Sequence, residues 1–342
     1  MKIHKTTLKN TLPPDFNPAN AGTPLLFDIE TTGLTPDLSA IFMIGCGYIA
    51  GDRLEVIQWL SDSTELCGEL EVLRAFSDWL ESREAPDSSF HLITYNGHNF
   101  DLPFLQSRCD QCGIRNPLSA AGLTKNAADL YRFVRNYKPL WPVPDLKLKS
   151  MASWLGGGAA SAPEGRRLIR AYHDYIRTKD SKYLELLFLH NTQDLSSLNL
   201  IRILCNYSAF FNGAFRIAGT GVFKKDIFEF IMTPEVCLPK SLSYEAFDFH
   251  MDMTPSEVRI LAPVCQGKLR YYHEDFKNYV YLPEEDYVIP KSMASYIDRN
   301  HWIKTSRENC YTWFSLDHNF MNSTENQKNY LSMIFRLFGF SG

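Results

Sequence analysis

The chain has 342 residues, of which 45% are hydrophobic and 22% charged, a composition that excludes a disordered chain and leaves room for a large core and two domains. No apolar run approaches the roughly 18 residues that span a bilayer, which excludes a membrane-spanning segment. The formal net charge of −4 excludes a basic surface over the whole molecule.

The N-terminal stretch "MKIHKTTLKNTLPPDFNP" is basic and polar. It lacks the apolar core of a signal peptide and reads as a short arm over residues 1–21. The runs "PLLFDIE" (24–30), "IFMIGCGYI" (41–49) and "LEVIQWL" (54–60) read as three strands. The last two are separated by a short turn, which predicts an antiparallel meander. Residues 65–83 place Leu66, Leu70, Leu73, Phe76 and Leu80 near helical spacing. "FHLITYN" (90–96) is a fourth strand, and residues 101–113 read as a helix ending at Gly113. "NAADLYRFV" (126–134) gives a short strand running into a helix. Asp145 is placed to cap "LKLKSMASWLG". "GGGAASAPEG" (156–165) is a connector, since it lacks the Lys-Ser/Thr of a phosphate loop. Two further helices are predicted from Pro163 and from Ser181, the second running to about residue 207.

Strands followed by alternating helices and strands make an α/β layer, with a mixed sheet flanked by helices. This predicts a first domain over residues 22–207. Beyond it the texture changes: prolines recur at 234, 239, 255, 263, 283 and 290, and residues 266–316 are dense in aromatics. A smaller C-terminal α+β domain is expected over 208–342. Eight cysteines are scattered along the chain, and only Cys109 and Cys112 form a C-x-x-C. A structural zinc site needs a second pair or a histidine cluster, and none is suitably spaced, so free thiols are expected. Scattered thiols without an export signal fit a reducing cytoplasm.

The first strand carries an oddity. Asp28 and Glu30 are two residues apart, so both carboxylates point to one face of the sheet. Unpaired in a core, they would repel each other and lose hydration. One reading is a solvent-facing strand; the other is a divalent cation, for which carboxylate oxygens are natural ligands. Asp101 opens a helix directly after a strand, where the helix dipole favours a carboxylate. An N-cap role would explain it equally. Asn96 and Asn99 can hold the loop before it through side-chain to backbone bonds. Asp194 sits in "HNTQD" within a leucine-rich helix and is either solvent-facing or turned toward a cation.

As an ordered set these acids have a precedent. "FDIETTG", "YNGHNFDLPFL" and "HNTQD" resemble the three motifs of the DEDD exonuclease superfamily. The second is close to its form in the proofreading domains of family B DNA polymerases. The H-N-x-x-D form, with "GRRLIRAYHDYI" upstream, most resembles the YprB-like ribonuclease-H-like family. The resemblance covers roughly residues 22–205 and implies a ribonuclease-H-like fold. It also implies that Asp28, Glu30, Asp101 and Asp194 hold two Mg²⁺ or Mn²⁺ ions and that the chain hydrolyses phosphodiesters. The activity it implies is that of a 3′→5′ exonuclease on single-stranded DNA or RNA. His190, one helical turn before Asp194, would orient or deprotonate the attacking water. The better-known subclasses carry Tyr at this four-residue spacing or His five residues before the acid, so His at four departs from both. His98, inside the second motif, is a lesser candidate.

Two features outside the motifs bear on substrate. Residues 125–182 hold twelve Lys or Arg against five acids, a balance of +7 that reads either as a phosphate-binding face or as a solvated helical face. Tyr271, Tyr272, Tyr279, Tyr281, Trp302 and Trp313 are either ordinary core or a platform for stacked bases. The reading from another class is a nucleic-acid-binding or adaptor protein that keeps the scaffold without turnover.

Overall fold

The computed structural model describes residues 1–13, 16, 22–83, 90–157, 165–222, 224 and 226–340. It divides into two compact units, the first comprising Met1–Arg135 with Pro142–Ile203, the second Asn136–Trp141 with the chain from Leu204 onward.

The first unit is built on a six-stranded sheet. Its strands are β1 (Lys2–Lys9), β2 (Thr23–Thr31), β3 (Ile41–Ala50), β4 (Arg53–Leu60), β5 (Phe90–Thr94) and β6 (Ala128–Asp129), in the order β1-β4-β3-β2-β5-β6. The β2-β3-β4 meander is antiparallel, as its short turn predicts. Strand β5 joins β2 in parallel, and β6 joins β5 in parallel, which makes the sheet mixed.

Strand periodicity sorts the helices onto the faces. Leu25, Phe27 and Ile29 of β2 point to one side, with Ile44, Cys46, Ile57 and Trp59 of its neighbours. They pack on α1 (Leu66–Glu81) and α2 (Asp101–Gln111) through Val72, Leu73, Phe76, Phe104 and Leu105. The other side carries Phe42, Met43 and Leu60 beneath α6 (Arg166–Thr178) and α7 (Ser181–Ile201). Between these helix pairs in sequence lie α3 (Pro117–Ala120), α4 (Leu130–Asn136) and α5 (Leu148–Leu155), the last packed on α7. Among the described residues, no helix is long and apolar enough to cross a membrane.

Three expectations need correction. Residues 2–9 are not an arm but the edge strand β1, paired with β4 along its whole length from Lys2↔Leu60 to Lys9↔Arg53. Most of its side chains are exposed, so the apolar alternation that marks a strand is absent, and Lys2, Lys5 and Lys9 suit an edge that must resist further pairing. Asp145 is not the N-cap of α5. Its Oδ1 accepts from the Lys147 N–H (3.1 Å) and the Ser150 hydroxyl (2.6 Å), bracing the first turn from two residues upstream. The last long helix stops at Ile201, and a short turn separates it from α8 (Cys205–Phe211). Pro163 and residues 158–164 of the connector lie outside the described residues; Gly156 ends α5 at φ 96°, a conformation that favours glycine.

The second unit is β-rich with helices at its end. A five-stranded antiparallel sheet runs β7-β8-β11-β10-β9, from β7 (Phe215–Val222), β8 (Ile227–Pro234), β9 (Leu242–Ala246), β10 (Phe249–Met253) and β11 (Val258–Pro263). β12 (Lys268–Tyr272) pairs with Tyr311–Ser315, and a three-stranded sheet covers parts of residues 279–304. The C-terminal helix Thr324–Phe338 buries Tyr330, Leu331, Ile334 and Phe335.

Of the aromatics singled out in the sequence, Tyr272 is buried, while Tyr271, Tyr279, Tyr281, Trp302 and Trp313 are half-buried. Tyr311 is buried as well, and Asp286 accepts from Tyr281 Oη (2.5 Å), Tyr311 Oη (2.5 Å) and Trp313 Nε1 (2.9 Å). His273 stacks on Tyr279, and the Arg299 guanidinium lies 3.8 Å from the Trp302 ring centroid. All eight cysteines are free thiols. Among the described residues, the one group of three potential metal ligands is Glu30, His190 and Asp194, so Cys109 and Cys112 gain no further ligand.

Candidate active site

The face of β2 opposite Phe27 holds Leu26, Asp28 and Glu30, and α7 lies over it. Asp194 and His190 stand one turn apart on α7. His190 Nε2 lies 3.3 Å from Glu30 Oε1 and 3.4 Å from Asp194 Oδ2, with the side chain 7% exposed. Asp101, at the first position of α2, reaches the same strand: its Oδ1 accepts the Ile29 N–H at 3.2 Å. The structure thus brings Asp28, Glu30, Asp101, His190 and Asp194 together at one end of the sheet, although they span 167 positions of sequence, 28 to 194.

The loop that delivers Asp101 is fixed by an acid that sequence reasoning did not single out. Asp129, on β6 opposite Thr94, accepts the N–H groups of Asn96 (2.7 Å), His98 (3.3 Å) and Tyr131 (3.0 Å). Asn96 sits at φ 62°, a conformation asparagine tolerates. A side chain at Gly97 would come within 2.5 Å of Thr94, so the loop closes only over glycine. Asn96 and Asn99 bond to each other (2.8 Å) rather than to backbone, which corrects their expected role. His98 contributes its backbone N–H here.

Electrostatics define the chemistry. Burial, then the charges of Glu30, Asp101 and Asp194, push the Asp28 carboxyl well above its ordinary range, against a bond from the Asn191 amide. Burial, then Asp194 and Asp101, do the same to Glu30, and Lys149 of α5 opposes this. Burial raises Asp101 to about 7 despite the Ile29 N–H. Carboxylates crowded this way at neutral pH call for a compensating charge. Hard oxygen donors of this kind fit a divalent cation.

Supporting residues were also missed. Asn191, fully buried, donates through Nδ2 to Asp28 Oδ2 at 2.7 Å, and Gln58 Nε2 donates to Asn191 Oδ1 at 2.8 Å. Signals for these existed: a glutamine inside the apolar run "LEVIQWL", and glycines inside "IFMIGCGYI", where a strand glycine marks a close approach. The basic stretch 125–182 is partly neutralised. Arg132, Lys147, Arg177, Lys179 and Lys182 pair with Asp129, Asp145, Asp174, Asp62 and Asp180, while Arg166, Arg167 and Arg170 of α6 are exposed.

The model of the RNase_H superfamily matches residues 25–206. A DNA polymerase of Thermococcus sp. (strain 9oN-7) is 36% identical over 107 residues, and that of Pyrococcus glycovorans 34% over 105. Each match covers 29% of this chain and 13% of the polymerase, so the chain spans about an eighth of the length of these curated relatives. Among solved structures, the zinc-bound E. coli exonuclease I complex with single-stranded DNA matches at TM-score 0.31 and 10% identity, over 92% of this chain and 71% of that one. E. coli exonuclease I with a dT13 oligonucleotide matches at TM-score 0.32 and 11% identity, over 93% and 70%.

Proposed function

The chain belongs to the RNase_H superfamily, and from that premise we propose that it is a metal-dependent nuclease, a 3′→5′ exonuclease acting on single-stranded DNA or RNA. The observation that carries this reading is the convergence of Asp28, Glu30, Asp101 and Asp194 with the His190 Nε2 set between Glu30 and Asp194. The four carboxylates would hold two Mg²⁺ or Mn²⁺ ions. When bound, such a pair supplies charge to stabilise the attacking and leaving oxygens of a phosphodiester.

The remaining work falls to this chain's own groups. His190 Nε2 faces the carboxylate cluster from a buried position, where neutral imidazole accepts a proton from the attacking water or orients it. Asp101 is preset by the Ile29 N–H and Asp129, so little reorganisation is needed when substrate arrives. Arg166, Arg167 and Arg170 of α6 are exposed cations that would meet phosphates of a bound strand. That the relatives over this region are DNA polymerases supports a nucleic-acid substrate.

The test is cleavage of 5′-labelled single-stranded DNA and RNA in Mn²⁺. A ladder shortening from the 3′ end is expected. Internal products at early times would make it an endonuclease, and tight binding without products would make it the adaptor instead.

A further inference from the structure

Behind Asp28 lies a row of residues that the proposed chemistry does not use. Asp28, Gly45 and Gln58 are register partners across three adjacent strands, Asp28↔Gly45 on β2 and β3, Gly45↔Gln58 on β3 and β4. Glycine at the middle position opens a gap in the sheet surface, and Asn191 of α7 drops into it. A Cβ on Gly45 would lie 1.9 Å from Asn191 Oδ1. Gln58 and Asn191 are both fully buried.

Their hydrogen bonds have one direction. The Phe188 carbonyl accepts from Gln58 Nε2 at 2.9 Å, which fixes the Gln58 amide with its nitrogen toward α7. The same Nε2 donates to Asn191 Oδ1 at 2.8 Å, and the Thr192 hydroxyl donates to Gln58 Oε1 at 3.3 Å. Asn191 must then present Nδ2 to Asp28 Oδ2, which it does at 2.7 Å. Flipping Asn191 would set oxygen against the carboxylate and NH₂ against NH₂. Polarity set by one backbone carbonyl is thus carried through two amides to one carboxylate oxygen.

We infer that Asn191, seated by Gly45 and oriented by Gln58, is a positioning residue that holds one oxygen of Asp28 and leaves the other for the metal site. The inference rests on the proposed metal-binding role of Asp28. Here the chain of donors ends on a single oxygen of Asp28, at the edge of the carboxylate cluster.

The full-length protein tests this by Mn²⁺ titration calorimetry, which reads binding without turnover, with thermal melts run in parallel. Asn191→Ala should weaken Mn²⁺ by about 10–100-fold, the usual effect of losing a residue that orients a metal ligand. Gly45→Ala, harmless to an ordinary strand, should match it by displacing the Asn191 side chain. The double variant should be no worse than the weaker-binding single, because both remove one device. Gln58→Leu should give a smaller loss in the same direction, and with Gly45→Ala it carries the test should Asn191→Ala not fold. Mn²⁺ affinity within twofold of wild type in these variants, whatever their melting temperatures, overturns the inference and leaves the network purely structural. Additive losses in the double variant overturn the single device. Asp28→Asn is measured alongside: normal Mn²⁺ binding there defeats the metal-site reading itself, whereas loss there with normal binding in Asn191→Ala defeats the relay alone.

Discussion

Asp28, Glu30 and Asp101 are carboxyls that the fold tends to protonate, and this has measurable consequences residue by residue. Asp101 is raised from 3.8 to about 7, so between those values the native chain holds a proton that the unfolded chain has lost. The unfolded state then binds fewer protons, and the stability contributed at this position falls as pH rises through that window. In the metal-free protein, the stability of wild type relative to Asp101→Asn should therefore be highest below about pH 4 and decline toward neutrality. Urea melts at several pH values check it, and a flat difference would remove Asp101 from the cluster. Asp28→Asn should raise the metal-free melting temperature by relieving both burial and repulsion, and should abolish cleavage in saturating Mn²⁺. Cleavage at the wild-type rate would mean that the site is misplaced. His190→Ala should cost about 10²–10⁴ in rate at neutral pH if it serves as base. His190→Tyr should recover part of the loss. Near-normal turnover in His190→Ala would reduce His190 to packing.

At the scale of elements, the site depends on braces between helices and loops far apart in sequence. Glu69 of α1 and Arg108 of α2 form a buried bidentate pair, Nε to Oε1 at 2.8 Å and Nη2 to Oε2 at 2.5 Å. Glu69 Oε1 also accepts the Ile41 N–H that starts β3, and Arg108 reaches the Pro36 carbonyl, so the pair holds the loop following Glu30. Arg108→Met leaves a buried carboxylate unpaired and should cost about 3–5 kcal/mol. Replacing both residues by apolar ones should cost less, as urea denaturation would show. Such braces mark the limit of what the sequence makes legible. Asp28, Glu30, Asp101 and Asp194 were legible as candidates because acids in or beside apolar strands and helices stand out once they recur in the order of three motifs, and His190 because it lies one helical turn before Asp194. The mixed sheet was readable from short apolar runs and from the order in which they alternate with helices. Gln58 and Asn191 are 133 positions apart, and nothing local in either names the other. Asp129 likewise hides in an unremarkable "AAD", and β1 escapes because an exposed edge strand buries too little to show a pattern.

For the whole molecule, the division into two units makes a prediction about where the chain can be cut. The sequence places a boundary near 207 because composition changes there. By packing, the first unit ends at Ile203, and residues 136–141 belong with the second. That segment is strongly apolar in its burial: Tyr137, Leu140 and Trp141 are 6%, 3% and 5% exposed. Their partners are in the second unit, where Tyr137 stacks on Phe211, Trp141 meets Tyr207 edge-on, and Tyr137 also bonds to the Ser208 hydroxyl. A chain truncated after 203 would bare all three side chains at once, a patch of the kind that drives association. The sheet with Asp28, Glu30, Asp101 and Asp194 would still be complete, since every strand and helix that positions them lies within the first unit. Truncation should therefore yield an associating protein that still binds Mn²⁺. Adding Tyr137→Lys, Leu140→Ser and Trp141→Gln to the truncated chain should abolish that association and leave Mn²⁺ affinity near that of the full length, as sedimentation and calorimetry would show. A substituted, truncated chain that is monomeric but loses Mn²⁺ binding would mean that the second unit takes part in shaping the metal site.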